Sequence, residues 1–242
     1  MHTALITGGA RGIGRAIALH LAGQGWNVAI CYRTSEADAD RTSAEIEQKG
    51  GRPLAVRADV SEPDQVARLF EEVETAFGAP DALVHCAGPY HRVDVLKETP
   101  EGWRAMFAQN LDSFFYCARL AAPAMIQKKW GRMLAFSMAN AEKAAAQTGV
   151  TAHYISKLGV LVLGRTLARA LAPHGITVNT ISPGFVASGS APDDELQKMV
   201  KNIPAGYVGA LDDAVQAAAY LLSDGARYVT GTNIILSGGW GI

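Results

Sequence analysis

The stretch Thr7-Gly8-Gly9-Ala10-Arg11-Gly12-Ile13-Gly14 limits what this chain can fold into more than any other. Before it runs Thr3-Ala4-Leu5-Ile6, short, apolar and β-prone. After it, Arg15-Ala16-Ile17-Ala18-Leu19-His20-Leu21-Ala22 carries apolar residues at helical spacing. A strand, a glycine turn and a helix in this order form the context in which a glycine pattern reads as a phosphate cradle. Glycines let the chain turn sharply and let backbone N–H groups approach a pyrophosphate, and the helix N-terminus points its unpaired N–H groups at the same place. The pattern predicts a dinucleotide site with Gly8, Arg11, Gly12, Ile13 and Gly14 at its phosphates. An ordinary tight turn would need similar glycines, so the rest of the chain has to supply the context.

It does so by alternation. Apolar strand-like runs fall at 28–32, 53–58, 82–85, 133–136, 176–181 and 233–236. Helical stretches fall at 36–49, 61–77, 100–129, 152–172 and 212–223. Ser61 is expected to cap the third helix, with Glu62 and Asp64 in its first turn. Strands separated by helices imply parallel pairing through right-handed crossovers, and near-continuous apolar strands fit a sheet covered on both faces. The expected fold is a single-domain Rossmann α/β fold spanning 1–242, a doubly wound parallel sheet of about seven strands. Ligands in such a sheet lie beyond the carboxyl ends of the strands.

Composition narrows the function classes. A net charge of -1 and a pI near 6.6 give no reason to expect nucleic acid or an anionic membrane as partner. No apolar run reaches membrane-spanning length, and the N-terminus reads as a strand rather than a signal peptide. The three cysteines, Cys31, Cys86 and Cys117, show no metal-ligand spacing and read as buried thiols of a reducing cytoplasm. No metal is expected.

The chain resembles the short-chain dehydrogenases/reductases over essentially its whole length, and within them the 3-oxoacyl-carrier-protein reductase type. The motif from Thr7 to Gly14 matches the family's TGxxxGxG. Asp59-Val60 matches the pair that faces adenine. His85-Cys86-Ala87-Gly88 stands where the family has NNAG and keeps the last two letters. Asn110 falls at the helix-borne catalytic Asn, and Ser156-Lys157-Leu158-Gly159-Val160 matches the segment around the catalytic Lys. Ser182-Pro183-Gly184 matches the turn beside nicotinamide, with Val186 just beyond. Thr230-Gly231-Thr232 and Ser237-Gly238-Gly239 resemble the flanks of the final strand. The resemblance implies a nicotinamide dinucleotide and a small-molecule carbonyl or acyl-thioester substrate, held in a homotetramer or homodimer. It also implies a substrate lid at about 188–202, where Gly189, Ser190 and Pro192 fall.

Cofactor choice has a chemical argument of its own. NAD-binding folds usually place a carboxylate after the second strand, on the ribose hydroxyls. Here that region reads Cys31-Tyr32-Arg33-Thr34-Ser35, without an acid. Arg33, assisted by Arg11, is suited to a 2′-phosphate, because guanidinium matches phosphate geometry. The expectation is NADP(H) rather than NAD(H).

The catalytic positions depart from the family, whose mechanism the resemblance implies to need Ser, Tyr and Lys around a carbonyl. The family's Tyr stands four residues before its Lys. Four before Lys157 is His153, and Tyr154 is three before. On a helix both pairings share a face, yet the two candidates point about 100° apart. Counted from Gly131-Arg132, the family's serine position is Met138, and Ser137 is one residue early, on the other face of a strand. Three readings stand open. Local irregularity brings Tyr154 and Ser137 into the site. Alternatively, His153 takes the proton-donor place and Lys157 is kept for ribose. In the third, the triad is lost, and the protein binds the nucleotide as a sensor or assembly partner. Asn110, Ser137, Tyr154, Lys157 and His153 are the candidate catalytic residues. Tyr90 and His91 border the substrate and are the remaining sources of a substitute donor.

Overall fold

The computed structural model describes residues 1–189 and 193–241. Seven strands form one sheet in the order β3-β2-β1-β4-β5-β6-β7, all neighbours parallel. They are β1 Thr3–Thr7, β2 Asn27–Tyr32, β3 Arg52–Arg57, β4 Ala82–His85, β5 Gly131–Phe136, β6 Ile176–Pro183 and β7 Asn233–Leu236. Eight α-helices connect or flank them: α1 Gly12–Gly23, α2 Glu36–Gln48, α3 Pro63–Phe77, α4 Pro100–Phe107, α5 Ser113–Lys128, α6 Thr151–Leu171, α7 Asp193–Met199 and α8 Leu211–Leu222. No described helix is long and apolar enough to cross a membrane.

The strands are apolar because both faces are covered, and the period of two splits each strand between two cores. Leu5, Leu83, Met133 and Val178 face α3, α5 and α6, packing with Leu69, Phe114 and Val160. Their neighbours Ala4, Ile6, Val84, Leu134 and Ile181 face α1 and α8, packing with Ile17, Leu21 and Leu221. The chain order reverses between β1 and β4, so a crevice opens above their carboxyl ends, where doubly wound sheets bind ligands.

The helical stretch at 100–129, expected in one piece or two, is divided by a π segment, Ala108–Asp112, closed by the Ser113 N–H donating to the Ala108 carbonyl. Two local expectations are corrected. Ser61 does not cap α3, where Glu62 holds the N-cap position. Its N–H and hydroxyl instead donate to Asp59 Oδ1 at 3.0 and 2.6 Å. Strand β5 begins two residues early, at Gly131, and so carries the buried Arg132. That guanidinium lies 4.4 Å over the Trp130 ring and 3.1 Å from Asp224, which offsets its burial. The expected lid at 188–202 lies partly outside the described residues, and Ser190 and Pro192 are among those left out.

Candidate active site

The glycine turn leaves β1 at Thr7 and has no room for side chains at Gly8, Gly9 and Gly14. Gly8 has φ +66° and Gly12 φ +58°. A Cβ on Gly14 would stand 2.5 Å from the Gly8 carbonyl oxygen, and one on Gly8 would stand 3.0 Å from the Ala87 nitrogen. Arg11 holds the N-cap position of α1 in an extended conformation, and its side chain caps nothing. The first N–H groups of α1 therefore point into the crevice without an intrahelical partner, the arrangement that receives phosphate.

At the end of β2, Arg33 Nη1 lies 3.2 Å from Asp59 Oδ2, and the Arg33 side chain is half exposed. Burial works to raise the Asp59 pKa, but hydrogen bonds from Ser61 and Arg33 outweigh it and hold the carboxyl below its ordinary range. Asp59 is thus a charged anchor that keeps Arg33 beside the mouth of the crevice.

The opposite end is built by β4, the π segment, β5 and α6. Gly88 is needed there, since a Cβ on it would meet Asn110 Oδ1 at 2.4 Å and Lys157 Nζ at 3.1 Å. Asn110 is wholly buried behind Gly88. Its amide donates to the Met106 carbonyl at 3.0 Å, and its Oδ1 has no protein partner. The π segment is what turns Asn110 inward, a use to which such bulges are often put. Lys157 is buried and donates to the Phe136 carbonyl at 2.8 Å. Burial lowers its pKa from 10.5 to about 8. An ammonium has three N–H donors, so others are free to serve a ligand.

The three candidate partners of Lys157 separate clearly. The Tyr154 hydroxyl donates to the Asn140 carbonyl at 2.8 Å and accepts from the Ala145 N–H at 2.9 Å. Its ring packs with Ala141 and Leu161, and it is not among the residues that line the crevice. The Ser137 hydroxyl donates to the Lys157 carbonyl at 2.8 Å, toward α6, and so is already engaged. His153 does line the crevice, as does Met138. Its Nδ1 is buried without a hydrogen-bond partner, and its ring meets Tyr90 edge-on at 5.2 Å. Burial, and then the nearby Lys157 charge, push its pKa down to about 3, so the imidazole is neutral at pH 7. The expectation that local irregularity turns Tyr154 into the site is therefore corrected, whereas Ser137 does line the cleft, with its hydroxyl held by the Lys157 carbonyl. Helix α6 is regular from Thr151, which puts positions 153 and 157 toward the crevice and turns 154 away.

The crevice joins these ends as one cleft of about 1580 Å³. It is lined by the glycine loop, Arg33, Asp59, Val60, Ala87, Gly88, His153, Lys157, Pro183, Gly184 and Val186. Cys86 also lines it, so of the three expected buried thiols this one is only partly buried. Sequence reasoning did not single out Phe185 and Trp240, whose rings meet at 4.8 Å on the cleft wall. The fit to a dinucleotide is tested by the cradle itself. Glycines keep the phosphate end open, an uncapped helix end faces it, and a buried acceptor on Asn110 waits at the far end.

A family model described as Enoyl-(Acyl carrier protein) reductase matches residues 8–241. The chain belongs to the short-chain dehydrogenase/reductase family. It is similar to the 3-oxoacyl-acyl-carrier-protein reductase FabG of Staphylococcus aureus strain Mu50, 36% identical over 240 residues, covering 98% of this chain and 97% of that one. It is also similar to FabG of Haemophilus influenzae, 33% identical over 239 residues, covering 98% of this chain and 96% of that one. A solved dehydrogenase/reductase from Sinorhizobium meliloti superposes with a TM-score of 0.92 at 31% identity, covering 100% of this chain and 95% of that one. Membership in this family makes the chain an oxidoreductase of C=O and CH–OH groups, FabG-like in sequence.

Proposed function

We propose that the chain is an NADP(H)-dependent reductase of a ketone, with 3-oxoacyl thioesters the leading substrate class and His153 in the proton-donor place. One observation carries this reading. A single cleft runs from the Arg33–Asp59 pair to His153 and Lys157, while Tyr154 is held outside it by two hydrogen bonds.

Arg33 and Arg11 both line the cleft, a guanidinium suits a 2′-phosphate, and no carboxylate follows β2 directly to reject that charge. The backbone of Gly8–Gly14 and the N-terminus of α1 would hold the pyrophosphate. Lys157 would hold the ribose, and Pro183, Gly184 and Val186 would shape the nicotinamide end. The chemistry such a cofactor would supply is hydride transfer at the substrate carbon. His153 then serves the oxygen. A neutral imidazole with a depressed pKa, in the first turn of a helix, polarises a carbonyl by donating its N–H. As the oxygen gains charge, that hydrogen bond would strengthen and hold it. The alkoxide would take its proton from water entering the open cleft, since Nδ1 has no hydrogen-bond partner through which a proton could reach the ring. Imidazolium is never required, so the depressed pKa is no obstacle. Met138 offers no hydrogen bond to the oxygen, which leaves His153 as its chief donor.

Helices α5 and α6 leave Phe115, Ile155 and Val162 between 39% and 55% exposed, a face suited to a second copy in a homodimer or homotetramer. Residues 188–202, which carry Leu196 and Met199 on the cleft wall, are proposed as the substrate lid.

The test is a calorimetric titration with NADPH and NADH, followed by turnover of 3-oxoacyl thioesters. Preference for NADPH with turnover supports the reading. Binding of neither nucleotide overturns it.

A further inference from the structure

His85 ends β4 and is buried in the sheet, with 1% of its surface exposed. The family's asparagine stands at this place, so an imidazole here needs its own account. Nδ1 lies 3.0 Å from Thr7 Oγ1, and Nε2 lies 3.1 Å from Ser113 Oγ. One assignment of the protons gives every hydrogen a partner. The single hydroxyl hydrogen of Ser113 goes to the Gln109 carbonyl at 2.9 Å, so Ser113 Oγ accepts from Nε2–H. Nδ1 is then the lone pair, and it accepts the Thr7 hydroxyl. Thr7 Oγ1 in turn accepts the Ala87 N–H at 3.2 Å.

Every hydrogen is used once and in one direction. Ala87 N–H donates to Thr7, Thr7 to His85, His85 to Ser113, and Ser113 to Gln109. A charged imidazole would put a hydrogen on Nδ1 and take from the Thr7 hydroxyl its acceptor. Burial disfavours that state as well, pushing the His85 pKa down to about 3.

Both ends of the chain reach the cleft. Ala87 lies under Gly8 and beside Gly88. Gln109 precedes Asn110 in the π segment, and the Ser113 N–H closes that segment on Ala108. We propose that His85 is a positioning residue that fixes, through this directed chain, both the Ala87-Gly88 wall of the cleft and the π segment that aims Asn110 at it. The kinetic readout rests on the reductase reading above; the proton arrangement does not.

The test has two arms, both on the full chain. In the first, nitrogen-15 NMR of the histidine rings reads the His85 tautomer. The expected result is Nε2–H, with no titration between pH 5 and 8. In the second, His85→Leu, His85→Asn, Ser113→Ala and Thr7→Val are assayed well below their melting temperatures. His85→Leu leaves two buried hydroxyls short of a partner and lowers both kcat and NADPH affinity by about tenfold. Ser113→Ala lowers kcat and spares NADPH affinity, and Thr7→Val does chiefly the reverse. The His85→Asn amide again offers one acceptor and one donor, and it recovers most of the loss. The proposal is overturned if His85→Leu lowers only the melting temperature, or if His85 titrates near 6.5 or carries its proton on Nδ1. If the parent protein turns over no substrate with NADPH, the reductase reading fails instead. The first arm, with the amide shifts of Ala87 and Asn110 in His85→Leu, still decides the positioning role.

Discussion

The hydroxyl of Tyr154 donates to the backbone carbonyl of Asn140 at 2.8 Å, and this places the residue that most resembles the family's acid outside the cleft. What it does there is hold the loop after β5 against α6. Its neighbour His153, 6% exposed, takes the side of the helix that meets Lys157. The identity of the group that serves the substrate oxygen therefore turns on one helical position.

Arg33 is expected to set cofactor preference. Arg33→Ala removes a charge-assisted contact to a phosphate that only NADPH carries, and leaves Asp59 facing it. NADPH affinity should fall by about tenfold to a hundredfold while NADH affinity stays within a factor of about two. Paired titrations with the two nucleotides check this.

Gly14→Ala tests the cradle. The added Cβ would press at 2.5 Å on the Gly8 carbonyl oxygen, a backbone atom that cannot swing aside. The turn must open, and nucleotide binding should be lost with about 1–3 kcal/mol of stability. Chemical denaturation and an NADPH titration read the two effects separately.

Acid should unfold this protein through its buried imidazoles. His85 and His153 have folded-state pKa values of about 3, below the ordinary 6.5. Between those values the unfolded chain binds more protons than the folded one, so stability falls as pH drops through 6.5 toward 3. Two such groups give a slope of about 3 kcal/mol per pH unit. Urea denaturation between pH 7 and 5 should show a shallower dependence in His85→Asn/His153→Phe than in the parent. Lys157, lowered to about 8, gives the opposite end of the range. Its ammonium is lost as pH rises through 8, and kcat should fall with it.

The sheet and the cofactor cleft were legible in the sequence because buried parallel strands are apolar runs and the glycine turn has few other uses. The residues at or just after the strand ends, from Arg33 to Pro183, do line the cleft. Asn110 was placed by resemblance, whereas the π segment that turns it inward has no compositional signal: one extra residue per turn looks like ordinary helix. Ser61 reads as a cap by type, but Asp59 two residues earlier competes for the same donors and wins. The spacing of His153, Tyr154 and Lys157 fixed the angle between the candidates without saying which of them faces the sheet. Packing decides that, by the pocket that Ala141 and Leu161 form around the Tyr154 ring. Trp240 was missed because a residue after the last strand reaches the cleft only through the turn at Gly238 and Gly239.

The most direct measurement of the central claim is NADPH-dependent reduction of a 3-oxoacyl thioester by the parent, Tyr154→Phe and His153→Phe proteins. The account predicts that Tyr154→Phe keeps kcat within about threefold while its melting temperature drops, and that His153→Phe loses about a hundredfold or more. An inactive Tyr154→Phe beside an active His153→Phe would contradict it.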